Sequence, residues 1–155
     1  KTSIMQYSGG NEKWYPNHGL RRSRALSKLQ KATVENLDSI IDRHDLRGPL
    51  TVYRGSSSTK QFNVGAVFLD RGFASTSRSL DTAKQFAEIA DRPIVFKINL
   101  PEGYKAAPVE KLVHSMFREQ KEVILKRNSA FRVKSKKIIR GGDFTFSLIE
   151  VDAIG

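Results

Sequence analysis

A chain of 155 residues, 39% apolar with nine Phe, can bury a core of its own, so one globular unit over residues 1–155 is expected. The absence of Cys excludes disulfides, zinc–thiolate centres and cysteine nucleophiles, and no apolar run approaches the roughly 18 residues of a membrane span. Twenty-seven Lys and Arg against sixteen Asp and Glu leave a net charge of +11, which draws anionic partners such as nucleic acid, an acidic protein or a membrane surface.

Lys rather than Met stands first and no basic, apolar leader follows, the expectation for an excised domain or a processed protein. Residues 1–22 mix Tyr7, Gly9, Gly10, Trp14, Tyr15, Pro16 and Gly19, a composition of loops and short turns packed by rings. From 23 to 45, Leu26, Leu29, Val34, Leu37, Ile40 and Ile41 recur at helical spacing and predict one or two helices. Gly48-Pro49 breaks that pattern, and Leu50 to Arg54 is rich in strand formers. A strand or extended pair follows over 64–77, interrupted at Arg71-Gly72.

Ser79 suits the N-cap of a helix over 80–90, with Leu80, Ala83, Phe86, Ala87 and Ala90 on one apolar stripe. Phe86 is thereby assigned to the core. Ile94, Phe96, Ile98 and Leu100 alternate with Val95, Lys97 and Asn99, the signature of a strand with one dry face. Further strands are expected near 122–126, 131–139 and 144–153, separated by Asn128-Ser129 and Gly141-Gly142. Helices come early and strands late, which predicts an α+β domain with at least one antiparallel sheet.

If 122–126 is a strand, its period of two sets Gln120 and Glu122 on one face and Glu119 and Lys121 on the other. An amide and a carboxylate would then project side by side into one site. In order along the chain stand Tyr53-Arg54-Gly55, Gly72-Phe-Ala-Ser75-Thr76-Ser77, Arg92 before an apolar strand, and Phe117-x-x-Gln120-x-Glu122-Val-Ile-Leu125. This constellation resembles the Arg-Ser-Glu class of mono-ADP-ribosyltransferases, of the toxin or effector kind, over residues 50–140. Ahead of it, Tyr7-Ser-Gly9, Trp14 and Asn17-His-Gly-Leu-Arg21 look like the elements that begin the catalytic lobe in C3-like and binary-toxin members.

The resemblance implies a fold with a helical N-terminal part and a mostly antiparallel two-sheet β core. It also implies NAD as co-substrate, with no metal. Breaking the bond from nicotinamide to ribose develops positive charge on the sugar, which a nearby carboxylate stabilises while the pyrophosphate is held still. By the resemblance, Glu122 is that carboxylate and bonds the nicotinamide-ribose 2′-hydroxyl, Arg54 binds phosphate and Ser75 orients Glu122. Thr76 and Ser77 support the site, Arg92 is a second phosphate-binding cation, and Tyr7 and Gly55 belong to the NAD-binding surface. Phe117 contacts the acceptor, and Gln120, counted with Glu122, Ser75 and Arg54 in the catalytic set, disfavours arginine while admitting an asparagine or a nucleobase, because a neutral amide can bond another amide or a base edge.

The expected acceptor is RNA, another nucleic acid or a protein side chain, and the expected setting is secretion or delivery into a target cell, with action in its cytoplasm. An acidic immunity or inhibitor protein is a further expected partner. Basic clusters at Arg21–Arg24, Arg118 and Lys121, Lys126-Arg127 and Arg132–Lys137 keep open a non-catalytic nucleic-acid-binding module, and an NAD glycohydrolase that uses water as acceptor is a third reading. His18, His44 and His114 show no metal-ligand spacing, and no Gly-x-Gly-x-x-Gly opens a helix after a strand.

Overall fold

The structure is a computed structural model that describes residues 27–58, 60–108, 122–140, 142 and 144–154. Helix α1 spans Lys28–Asp42. Its start is fixed by a capping box: the Gln30 N–H donates to Ser27 Oγ at 3.1 Å while the Ser27 N–H donates to Gln30 Oε1 at 3.0 Å. Thr33, Val34, Leu37 and Ile41 form its buried stripe, whereas Leu29 is exposed. Asp38, at the flank of that stripe, ties the helix down by accepting from Arg127 Nε at 3.0 and 2.9 Å.

The strands are β1 Leu50–Ser57, β2 Val67–Asp70, β3 Ser75–Ser77, β4 Pro93–Leu100, β5 Ala106–Pro108, β6 Glu122–Leu125, β7 Ser129–Ile139 and β8 Phe146–Ile154. They run in the order β2-β7-β8-β4-β1-β3-β6-β5. All neighbours are antiparallel except β4 and β8, as the expected mostly antiparallel core requires. The break at Arg71-Gly72 sends β2 to one edge of the sheet and β3 to the other half.

The halves meet at one narrow joint. β1 pairs β4 along its whole length, from Leu50↔Leu100 to Ser57↔Pro93, but pairs β3 only at Tyr53↔Ser77. The two expected sheets are therefore joined into one eight-stranded ladder that shares a single core. That core gathers Val52, Phe96, Ile98 and Phe131 from one half with Ala74, Tyr104, Ala106, Val123 and Leu125 from the other. The joint between the halves is where a cleft opens. β5, three residues long, has no periodic signature and escapes the sequence reading.

Helix α2, Leu80–Glu88, lies on the opposite face over β1 and β4 and is capped by Ser79, which accepts from the Thr82 N–H at 3.3 Å. Its buried side chains are small, Ala83 and Ala87, packed with Val95 and Phe146. Two sequence expectations need correction here. Phe86 is 66% exposed and Leu80 38% exposed, so neither belongs to the core. The cause is the closeness of the helix to β1: a Cβ on Gly55 would meet Ala83 O at 2.2 Å, Phe86 Cβ at 2.8 Å and Ala87 N at 2.9 Å. Backbone on backbone leaves no room beneath the helix for a ring, and Phe86 is pushed to the rim. Val95, which alternation gave to the wet face of β4, is fully buried because α2 covers that face. Among the described residues no helix is long and apolar enough to cross a membrane.

Candidate active site

Arg54 and Ser75 come together because β1 and β3 converge at the joint. Arg54 Nη1 donates to the Ser75 backbone carbonyl at 2.9 Å, and the Ser75 hydroxyl donates to Glu122 Oε2. One residue thus touches both the cation and the carboxylate. Glu122, the first residue of β6, is half-buried, as are Arg54 and Ser75, so all three keep access to solvent.

The register of β3 on β6 fixes this meeting. Ser77 pairs with Glu122, Thr76 with Val123 and Ser75 with Ile124. Thr76 is buried and its hydroxyl donates to the Val123 carbonyl at 2.7 Å, which clamps the two strands one residue from Glu122. The buried Ser77 accepts from the Ser79 N–H at 3.0 Å and so shapes the turn into α2. Both residues support the site from below.

Two clefts flank Arg54. The first, about 590 Å³, is lined by Tyr53, Gly55, Ser75–Ser77, Thr82, Ala83, Gln85, Phe86 and Glu122 together with Arg54. The second, about 630 Å³, runs along the other face of β1, with Ser56–Ser58, Lys60 and Arg71 at its polar side and Phe62, Phe68, Phe96 and Phe131 at its floor. Those four rings pack edge-on or tilted at centroid distances of 5.1 to 5.7 Å. Arg54 is common to both clefts.

Gly55, expected at the NAD surface, lines the first cleft and is also the point of closest approach of α2. Arg92 stands apart: it is exposed in the turn between α2 and β4, lines neither cleft, and engages β1 through its backbone, whose N–H donates to Ser57 Oγ at 3.4 Å. Tyr7, Trp14, Asn17, Arg21, Phe117 and Gln120 lie outside the described residues. Sequence reasoning missed Thr82, Gln85, Lys60 and Arg71 and misplaced Phe86. For Phe86 a signal was present, since Gly55 beneath a helix with Ala83 and Ala87 marks a close approach that expels intervening rings. Among the described residues no group of three or more His, Asp or Glu could hold a metal ion.

A family model described as ADP-ribosyltransferase exoenzyme matches residues 1–154. Among solved structures, the chain is similar to Plx2a, an ADP-ribosyltransferase toxin from Paenibacillus larvae, with a TM-score of 0.82 and 23% identity over 99% of this chain and 85% of that one. It is similar to the Clostridium limosum C3 exoenzyme, with a TM-score of 0.77 and 18% identity over 99% of this chain and 84% of that one. C3stau2 from S. aureus, solved with NAD, gives a TM-score of 0.75 and 22% identity over 99% and 85% of the two chains. At such identities the structural likeness speaks to the fold. No curated protein matches the chain.

Proposed function

The chain belongs to the ADP-ribosyltransferase exoenzyme family, and from that footing we propose that Arg54, Ser75 and Glu122 are its catalytic constellation, of the Arg-Ser-Glu class. The observation that carries this reading is the double engagement of Ser75, whose carbonyl accepts from Arg54 and whose hydroxyl donates to Glu122. It fixes a cation and a carboxylate at the mouth of one cleft before any substrate arrives.

NAD is the co-substrate, and its shape suits the two clefts. A guanidinium shared by both clefts suits the pyrophosphate in the middle of a dinucleotide. The nicotinamide ribose then lies in the cleft of Glu122 and Phe86, and the ADP half extends toward Lys60 and Arg71. Glu122 accepts from the ribose 2′-hydroxyl and stabilises positive charge that develops at the adjoining anomeric carbon. The glycosidic C–N bond breaks, nicotinamide departs with the bonding electrons as a neutral molecule, and the acceptor nucleophile bonds to the anomeric carbon while losing its proton. Thr76 and Ser77 hold the strands and Tyr7 completes the NAD surface, whereas Arg92, which lines neither cleft, has no part in holding the phosphates.

The acceptor is macromolecular, a nucleic acid such as RNA or a protein side chain other than arginine, with Gln120 and Phe117 selecting it. The +11 charge favours an anionic target, and the activity belongs to a toxin or effector delivered into the cytoplasm of a target cell and restrained in its producer by an acidic inhibitor. The whole chain and its Glu122→Ala variant, incubated with labelled NAD and cell lysate, test the reading. Label in a protein or nucleic-acid fraction only with Glu122 present supports it; nicotinamide release without labelled macromolecule makes the protein an NAD glycohydrolase, and neither product sinks the enzyme reading.

A further inference from the structure

Among the described residues, half of the far edge of the sheet has no pairing strand. β2 covers β7 only from Val67↔Arg132 to Asp70↔Ser129, and one further closure follows, where the Val133 N–H donates to Ala66 O at 2.9 Å and Gly65 N–H donates to Val133 O at 2.8 Å. Past Val133 no strand among the described residues pairs with that side of β7, although β7 continues to Ile139 against β8. Residues 134–138 are all exposed, which means that neither face of this stretch is covered. A register shift between Val133 and Ser135 marks where the strand leaves the covered part of the sheet.

We infer that this edge, Lys134 to Ile139, is a docking site for an extended acidic segment of a partner protein, added to the sheet as one more strand. Unpaired backbone groups along an exposed strand are a template for such pairing, and the side chains decide who may use it. Lys136 and Ile138 share one face and Lys137 lies on the other, so a matching strand carries carboxylates on both faces and an apolar residue against Ile138, which is 60% exposed. A second copy of this chain is excluded by the same residues, because an edge-to-edge pair would set Lys against Lys. A polyanion such as RNA reads charges gathered on one face, and these are divided between two. Lys134 is already shared with Glu150 at 4.0 Å, so Lys136 and Lys137 carry most of the selection.

The probe is a short synthetic peptide of repeating Glu-Glu-Val-Thr, its all-D enantiomer, and an oligouridine RNA, each titrated into the whole chain in low salt. The L-peptide should shift the backbone amide signals of residues 134–139 and slow the hydrogen exchange of a subset of them, and Lys136→Glu combined with Lys137→Glu should weaken it at least about tenfold. Both positions are exposed, and a Gln pair in place of the Glu pair, expected to weaken binding less, guards against a folding artefact. Equal binding of the D-peptide, absence of L-peptide binding, or shifts confined to other basic clusters would overturn the proposal. RNA that binds this edge more tightly than the L-peptide without protecting its amides would overturn it too, and would make the surface a polyanion site.

Discussion

Ser75 reaches Glu122 diagonally rather than from the facing position. Ser77 is the residue paired with Glu122 across β3 and β6, yet the Ser75 hydroxyl is the one that donates to the carboxylate. Ser77 is otherwise engaged, accepting from Ser79 at the entrance to α2. The three residues of the Ser-Thr-Ser run thus divide their labour: one orients the carboxylate, one clamps the strands and one sets the turn.

That division gives a ranking of activities. Glu122→Ala should abolish nicotinamide release with an unchanged fold. Ser75→Ala removes one charge-assisted hydrogen bond, of about 1.5 to 3 kcal/mol, and should lower kcat by about 10- to 100-fold with a smaller change in KM for NAD. Steady-state assay of nicotinamide release separates the two, and a Ser75→Ala enzyme with full kcat would show that Glu122 is held in place by other contacts.

Thr76→Val keeps the shape and removes the buried donor to the Val123 carbonyl. Loss of one intramolecular hydrogen bond costs about 0.5 to 1.5 kcal/mol, so urea unfolding should show a loss of that size. Because the lost clamp lies one residue from Glu122, kcat should fall with stability, unlike an equally destabilising change in α1.

How far the sequence speaks for itself differs between these parts. Arg54, Ser75 and Glu122 are legible only through the resemblance of their motifs to the Arg-Ser-Glu class, with the period of two adding the face of Glu122, and the β3–β6 register brings Ser75 and Glu122 together. The helix positions are less legible. Helical spacing says which residues share a stripe but not how close the stripe lies to its neighbour, and at Gly55 the closeness inverts the assignment of Phe86. Lys60 and Arg71 join one cleft only through the loops that flank β2, for which no periodicity exists.

Gly55→Ala tests that closeness. The added methyl would sit 2.2 Å from Ala83 O and 2.9 Å from Ala87 N, both backbone atoms that cannot swing aside. Overpacking of this kind costs about 1 to 3 kcal/mol. Thermal unfolding should report that loss, and KM for NAD should rise because α2 carries Phe86 and Thr82 into the cleft wall. Unchanged stability would mean that the helix can lift without cost.

Phe86→Ala should separate the binding effect from the stability effect. With the ring 66% exposed, its removal should change stability by no more than about 0.5 kcal/mol, yet it strips the apolar wall of the Glu122 cleft. We expect a weakened KM for NAD and near-normal Tm, with Phe86→Tyr restoring binding. A large loss of Tm would return Phe86 to a packing role.

Acid stability depends on Asn99. Thr51 Oγ1 donates to Asn99 Oδ1 at 3.2 Å, which turns Nδ2 toward Glu150 Oε2 at 2.8 Å and Asp152 Oδ1 at 2.9 Å. That hydrogen bond, aided by Lys97 and Lys134 against burial and Asp152, holds the Glu150 carboxyl below the ordinary glutamate value. A group with a lowered folded value stabilises the native state above its unfolded value and loses that contribution as pH falls through the folded one. Asn99→Leu should therefore lower Tm at neutral pH by about 2 to 4 °C, the size of a change of about 1 kcal/mol in a domain of this length. The gap to the native sequence should shrink as the pH is lowered past the glutamate range, because protonated carboxyls no longer need the amide donor. A gap that stays constant down to acid pH would mean that Asn99 acts by packing alone.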